Sequence, residues 1–249
     1  MVEIIGILLP LLGFGVGGFF IYSANNLKKV KKIIETLPTT KISDVKPGII
    51  EVTGVAHSAK EKPLKSPLTS KDCFYYKYNI EEKHTKRDNK GHTTTSWKTI
   101  RSGVDSVPFY VDDGSGKVLI DPKEADLSVK INEQANSSFG KDPPEHIKAF
   151  LKANNISFEG FLGINKTMRY NELLITQNQK LFIIGTAQEG EGGLTIKKGT
   201  AEKLFMVSDS EEKDILKSYG MKYWSNLIGG IFFVLLGLGL FFFITVRMF

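Results

Sequence analysis

Histidine and cysteine, the residue types that most often bind metals or act as nucleophiles, are few in this 249-residue chain, and their spacing argues against such chemistry. The histidines His57, His84, His92 and His146 are scattered. Only His84 and His92 share one polar segment, and two ligands fall short of the four that a structural zinc site needs. The single cysteine, Cys73, borders an aromatic run, which is typical of a core residue rather than a nucleophile. We therefore expect no metal site, no cofactor and no catalytic residue.

The acidic and glycine-rich segments have simpler explanations than catalysis. Asp112 and Asp113 stand before Gly114, a pattern typical of a tight turn, so they need not be paired carboxylates for acid/base work with Asp121. The glycines in 190–193 are a flexible turn, because the lysine and the helix of a phosphate-binding loop are missing.

A basic segment with an adjacent aromatic residue, Lys83–Trp97, would suit single-stranded nucleic acid. A polar loop between two strands explains the same residues more simply, so we do not expect nucleic acid as a partner. The net charge of +6 would suit an anionic partner, either nucleic acid or a lipid surface. Much of the excess is lysine beside the apolar segments, which explains the charge without such a partner.

The elements that must position these residues are dominated by two apolar segments. Leu227–Val246 has no charged side chain, and as a helix it would measure roughly 30 Å, the thickness of a bilayer core. Ile4–Tyr22 is about as long. A cleaved signal peptide is the rival interpretation of this first segment, but the positive charge that normally precedes one is missing. We predict transmembrane helices at 1–25 and 223–249.

Both predicted helices carry features that suggest what they contact. Gly13 and Gly17 have the spacing that lets two helix backbones approach closely, which predicts packing against the second span or, in a homo-oligomer, against another copy. The flanking lysines that could contact lipid headgroups are Lys28, Lys29, Lys31, Lys32 and Lys222. A solvated helix face that only sets the topology explains these lysines equally well. Under the positive-inside rule these flanks place the central region in the cytoplasm and both termini outside, in a multi-pass protein of the cell membrane. Glycosylation sequons at Asn136, Asn155 and Asn165 argue mildly for the opposite orientation.

Between the spans, 26–38 reads as a basic juxtamembrane helix ended by Pro38, and 39–222 as a domain of short antiparallel strands. The fold class is therefore an α+β, mainly antiparallel β domain, a small barrel or sandwich, flanked by two transmembrane helices. We predict a helix at 142–153 capped by Asp142, and another at 208–219 capped by Ser208 and ended by Gly220. The predicted strands are 49–55, 73–81, 97–101, 107–111, 117–120, 169–176, 180–186 and 194–197, with 107–120 and 169–186 as hairpins and 83–96 as a loop.

The order of several short motifs resembles a known family. The motifs are Pro47-Gly48, Glu51-Val52-Thr53-Gly54, Leu64-Lys65-Ser66-Pro67-Leu68-Thr69, Cys73-Phe74-Tyr75-Tyr76, Trp97, Val107-Pro108-Phe109 and Asp112-Asp113-Gly114. With the two spans, they are similar to the GIDE domain, also called the beside-a-membrane domain, of mitochondrial RING-type E3 ubiquitin ligases and their prokaryotic relatives.

The resemblance implies a membrane-tethered domain of the prokaryotic type. A RING finger needs about eight cysteine and histidine ligands. Only Arg247, Met248 and Phe249 follow the second span here, so we expect no RING in this chain. The favoured hypothesis is a module that binds a protein partner or the lipid surface without catalysis. The alternatives are a ligase-related transferase that borrows a separate zinc-binding subunit, and a structural membrane oligomer.

Overall fold

The computed structural model describes residues 2–59, 63–130, 133–190, 193–201 and 203–248. They form two compact units, a helical unit made of residues 1–38 and 211–249 and a β unit made of residues 39–210. The helices are α1 Val2–Thr36, α2 Glu145–Ala153 and α3 Glu212–Met248. The strands are β1 Gly48–Ser58, β2 Leu64–Lys65, β3 Asp72–Cys73, β4 Tyr75–Arg87, β5 Thr93–Ser106, β6 Phe109–Asp112, β7 Lys117–Ile120, β8 Asp126–Ser128, β9 Glu133–Ser137, β10 Met168–Ile175, β11 Lys180–Gly190, β12 Gly193–Lys197 and β13 Met206–Ser208.

The helical unit consists of α1 and α3, which pack against each other. Both helices are long and apolar enough to cross a membrane. Phe20 and Phe233 stack across the pair with ring centroids 6.0 Å apart, and the Asn226 side-chain amide donates to the Ser23 hydroxyl at 3.0 Å. α3 continues through Gly220, so the predicted helix end there is wrong. One glycine weakens a helix by only about 1 kcal/mol, which the rest of a 37-residue helix outweighs.

The β unit is built around a five-stranded barrel. Its strands follow the order β1, β6, β7, β12 and β11, and β11 closes the ring by pairing with β1. Alternate residues such as Val52, Val111 and Ile183 point inward and are fully buried. Gly54 lets β1 approach β6, because a Cβ there would lie 2.6 Å from the Asp112 carbonyl oxygen. The fold-class prediction is therefore confirmed: two apolar terminal helices flank a mainly antiparallel β unit.

A second sheet, in the order β5, β4, β10 and β9, carries its own core. Tyr78, Ile80, Met168 and Tyr170 from this sheet pack with Ile147 of α2 and its neighbours. α2 begins at Glu145 without a side-chain cap, so the predicted Asp142 cap is wrong. The Asp142 carboxylate instead accepts hydrogen bonds at 2.7 Å from Lys148 and from Asn165, which are its stronger local partners.

Three further predictions about strands and caps are wrong. The hairpin over 169–186 does not form, because β10 lies in the four-stranded sheet and β11 in the barrel. Most of the predicted loop 83–96 is strand, since β4 and β5 pair out to Arg87 and Thr93. Ser208 ends β13 and donates its hydroxyl to the Ser128 carbonyl rather than capping α3. The hairpin of β6 and β7 is confirmed, and Glu191 and Gly192 of the predicted turn at 190–193 lie outside the described residues.

Candidate functional site

The two glycines singled out by the sequence lie against α3. A Cβ at Gly13 would lie 3.0 Å from Gly237 Cα, and one at Gly17 would lie 2.7 Å from Val234 Cγ2 and 2.8 Å from the Gly230 carbonyl oxygen. The contacts at Gly17 are closer than real Cβ atoms make, so a side chain there would push the backbones apart. The contact at Gly13 is tight, and a side chain there would require its neighbours to move by a few tenths of an ångström. The spacing thus corresponds to a close approach of two helices of one chain.

Three of the five lysines singled out by the sequence line one groove. Lys28, Lys31 and Lys32 of α1 face Tyr223 and Trp224 of α3 across a space of about 590 Å³, which we call the lysine–tryptophan groove. Lys29 lines a neighbouring hollow of about 370 Å³ on α1. Lys222 instead lies over the Tyr219 ring, 5.8 Å from its centroid. Cations next to amphipathic rings are the groups that proteins place at the level of lipid headgroups.

The β unit displays three large apolar side chains that the sequence reasoning missed. Phe139, Phe161 and Leu162 are 79%, 84% and 80% exposed. They lie on two loops, which we call the apolar loop pair. Phe139 follows β9, and the other two lie in a 3-10 turn, Phe161–Gly163, that precedes β10. Because β9 and β10 are antiparallel partners, with Ser137 opposite Met168, the two loops leave the sheet at the same end.

Both loops are ordered by hydrogen bonds rather than left loose. The first closes through the reciprocal backbone bonds of Ser138 and Lys141, at 3.0 and 2.8 Å. The second closes from Gly160 N–H to the Ile164 carbonyl at 2.8 Å. The Asn165 amide then joins the loops by donating to Asp142 at 2.7 Å. The apolar side chains therefore project from a fixed backbone.

Leu162 adds strain to the second loop. Its φ of 59° lies in the left-handed region, which costs an L-residue roughly 1–2 kcal/mol. Such a conformation persists only where the surrounding structure imposes it, and it is common at functional sites. A signal existed in the sequence, because Phe139 stands before Gly140 and Phe161-Leu162 stands between two glycines. These apolar residues lie in turn segments, which are usually at the surface, so packing in a core does not explain them.

The cysteine singled out by the sequence is chemically quiet. Burial, and then three nearby carboxylates of which Glu172 acts most strongly, raise the pKa of the Cys73 thiol to about 12. Thiolate is the reactive form, so almost none is present at neutral pH. Cys73 therefore behaves as a core residue, as its burial indicates.

The remaining candidates do not assemble into a catalytic group. His84 lies opposite Ser96 within the β4–β5 hairpin, whereas His92 contacts Asp88 at the tip, at 3.1 Å. Asp112 and Asp113 accept backbone N–H groups of their own turn. Across the part of the chain that the structure describes, no three His, Cys, Asp or Glu side chains are arranged to hold a metal ion.

The fold defines a class of protein: a small β barrel with an attached sheet, joined at each end to a long apolar helix. The profile of one family, described as "GIDE: E3 Ubiquitin ligase", matches residues 79–241, more than half of the chain. This chain belongs to the GIDE family. No curated protein and no solved structure matches it.

Proposed function

We propose that this chain is a membrane-tethered binding module whose β unit docks a protein partner through the apolar loop pair and carries out no catalysis of its own. The observation that carries the proposal is the exposure of Phe139, Phe161 and Leu162 on hydrogen-bonded loops. A single exposed apolar side chain is common on soluble proteins, but three on two loops at the same end of a sheet are typical of an interaction site.

Apolar side chains that project from an ordered backbone are efficient anchors for a partner. Burying one such side chain in a partner's pocket contributes roughly 1.5–3 kcal/mol to the free energy of binding, because apolar surface is removed from water. Because the backbone of both loops is already ordered, little conformational entropy is lost on binding. A few such anchors commonly supply most of the binding energy of an interface. The occupant that fits is a protein with apolar pockets spaced to receive the two loops.

Two features support the membrane tether. α1 and α3 have the length and apolar character of spans, and each is joined to the β unit by only a few residues, since α1 ends at Thr36 and the β unit begins at Thr39. The lysine–tryptophan groove supplies cations and amphipathic rings for headgroups. Under this proposal Lys28 and Lys32 contact anionic lipid, and the β unit faces the cytoplasm. Lys31 is already paired with Glu35, at 2.6 Å, within the same groove.

Site-directed photo-crosslinking tests the docking surface. The full chain, expressed in membranes, carries a photoreactive residue at Phe161 or, as a matched control, at Val104, an apolar residue that is 61% exposed on β5. We expect a discrete protein adduct from position 161, lost in a Phe139→Ser variant, and none from position 104. Equal adducts at both positions, or no adduct at 161, would contradict the proposal.

The family description favours a second function, that of an E3 ubiquitin ligase component. The described residues contain no cluster of zinc-binding side chains, so this chain would have to work with a zinc-binding subunit. Incubating the purified chain with ubiquitin and its activating and conjugating enzymes separates the two functions. Ubiquitin transfer by this chain alone would refute a pure binding module, and transfer only after a second subunit is added would establish the ligase component.

A further inference from the structure

The β4–β5 hairpin extends beyond its sheet as a free, two-stranded arm. β10 pairs with β4 only as far as Glu82, whereas β4 and β5 remain paired to Arg87 and Thr93. At 3.3 Å per residue the arm projects roughly 15–20 Å past the third strand. Residues 85–99 are all exposed, so this part of the arm buries no core. An isolated two-stranded hairpin contributes little to folding stability, so folding alone does not explain which residues this one contains.

The charge of the arm is strongly one-sided. Over 83–98 it carries five cationic side chains and a single carboxylate, Asp88. That carboxylate is used at the tip, where it accepts the N–H groups of Lys90 at 2.9 Å and His92 at 2.8 Å. Within the described residues, none of the five cations forms an ion pair. The cations of this basic arm are Lys83, Lys86, Arg87, Lys90 and Lys98.

The partner strand adds only groups that can donate hydrogen bonds to an anion. Thr93–Ser96 is a run of four hydroxyl side chains paired against His84–Arg87. Side chains alternate between the faces of a ribbon, so Lys83 and Arg87 share one face and Lys86 lies on the other. Either face can therefore offer ammonium or guanidinium groups together with hydroxyls, which is the chemistry that binds phosphate.

We propose that the basic arm binds the phosphate groups of an anionic lipid surface. This rests on the membrane tether of the proposed function, which would hold the β unit beside such a surface. Each Lys or Arg near an anionic membrane raises the binding constant for that membrane severalfold. The contributions of the cations accumulate along the arm.

Nucleic acid fits the arm less well. Single strands are held mainly by large aromatic side chains on which bases stack, and 84–96 contains no Phe, Tyr or Trp. The nearest aromatic, Trp97, already has the Arg169 guanidinium 4.3 Å from its ring centroid. Arg169 is itself paired with the Glu81 carboxylate, which lowers the pKa of Glu81. The base of the arm is therefore occupied by contacts within the protein.

Energy transfer from the tip of the arm to the bilayer tests the proposal. The full chain, with Cys73→Ala and a donor dye on Asn89→Cys, is reconstituted into vesicles with a headgroup-labelled acceptor lipid. We expect higher transfer in vesicles that contain phosphatidylglycerol than in phosphatidylcholine alone, and the difference should disappear at high salt. Equal transfer in both lipids would overturn the proposal.

Charge variants show whether the arm itself is responsible. Replacing Lys83, Lys86, Arg87 and Lys90 by Gln should abolish the lipid-dependent difference. The matched control replaces four exposed lysines of the β unit outside the arm, Lys46, Lys123, Lys130 and Lys180, and should retain it. Equal loss in both sets would refute a role for the arm, because net charge alone would then explain the effect. Circular dichroism confirms that each variant is folded.

Two measurements separate other outcomes. If the unlabelled chain does not float with the vesicles in a density gradient, the proposed membrane tether is wrong. If the chain floats but shows no lipid-dependent transfer, only the proposed lipid binding by the arm is wrong. A single-stranded oligonucleotide that raises the anisotropy of the Asn89 dye and abolishes the lipid-dependent transfer would overturn the lipid assignment in favour of nucleic acid.

Discussion

Glu172 is a buried residue of β10 whose carboxylate fixes the segment 66–71 to the four-stranded sheet. It accepts the N–H groups of Leu68 at 2.8 Å and Thr69 at 3.2 Å, and the Thr69 hydroxyl at 2.6 Å. Buried charges persist in proteins only when hydrogen bonds replace their hydration, as they do here. Burial is the main reason that the pKa of Cys73 is raised, and the Glu172 carboxylate raises it further.

Cys73 should be unreactive in the folded protein. With a pKa of about 12, the thiol at pH 8 is almost entirely protonated, and it is also buried. We expect labelling by iodoacetamide to be at least ~100-fold slower in the native chain than in urea-unfolded chain. Rapid native labelling would show that the thiol is accessible and ionisable, and would reopen cysteine chemistry.

Asp113 should make the β unit sensitive to acid. Partial burial works against ionisation, but hydrogen bonds from Ser115 and from the backbone of Ile42 outweigh it and hold the pKa of Asp113 at about 2, below its ordinary 3.8. A lowered pKa means that the stabilisation is complete well above pH 4 and is lost as the pH falls from about 4 to 2. Asp113→Asn should therefore lower Tm at pH 7 and lose less stability between pH 5 and pH 3 than the wild type.

The control for this prediction is Asp126→Asn, an exposed aspartate on β8. Thermal unfolding followed by circular dichroism at several pH values compares the three proteins. An acid response of Asp113→Asn identical to that of the wild type would show that the turn does not depend on this carboxylate.

Among the elements, the loop before β10 is held in a conformation that suits glycine better than its own residue. Leu162→Gly relieves the left-handed strain, so the free energy of unfolding should stay the same or rise by up to about 1 kcal/mol. Gly163→Ala, at a φ of 72°, is the opposite test and should destabilise by roughly 1 kcal/mol. Denaturant unfolding measures both.

The Leu162→Gly variant also distinguishes a strained binding loop from an ordinary turn. Leu162→Gly should weaken the crosslink from position 161 while leaving the fold intact, because it removes one apolar anchor. If Leu162→Gly lowers the free energy of unfolding by more than about 1 kcal/mol, Leu162 supports the fold instead.

The α1–α3 pair can be tested with neighbouring glycines. Gly17→Ala places a Cβ 2.8 Å from the Gly230 carbonyl oxygen, a backbone atom that cannot move without shifting the helix. Gly18→Ala meets nothing within 4 Å and has the better helix propensity. We expect the first to separate the helices and the second to be neutral or stabilising.

Crosslinking of two introduced cysteines reports on this packing. Ser23→Cys and Asn226→Cys, in a Cys73→Ala background, replace residues whose Oγ and Nδ2 atoms lie 3.0 Å apart, so a short bifunctional thiol reagent should join them. Gly17→Ala should slow this crosslink and Gly18→Ala should not. Equal rates in both variants would contradict a close approach at Gly17.

For the whole molecule, the proposed tether makes a direct prediction. Two apolar spans hold a protein in the bilayer far more strongly than electrostatic attraction does. We therefore expect the full chain to resist extraction by alkaline carbonate and by high salt, and to be released by detergent. Release by carbonate would leave the β unit without its proposed membrane anchor, and the basic arm and lysine–tryptophan groove without their proposed partner.

Several features of the fold could be predicted because they depend on local sequence. A run without charges, such as Leu227–Val246, can only be an apolar helix of about spanning length, and residues that alternate between apolar and polar form strands. The β6–β7 hairpin followed from Asp112-Asp113-Gly114, because a tight turn needs those residue types. The two apolar helices and the mainly antiparallel β unit were accordingly predictable.

Only the tertiary structure decided how distant segments combine. β10 and β11 are separated by four residues, yet they join different sheets, because β11 finds its partners in β1, β12 and β13. The apolar loop pair likewise arises because β9 and β10 bring Phe139 near a turn that lies more than twenty residues later in the chain. Composition determines which segments form helices or strands, but pairing between strands depends on contacts between residues far apart in sequence. No local pattern specifies those contacts.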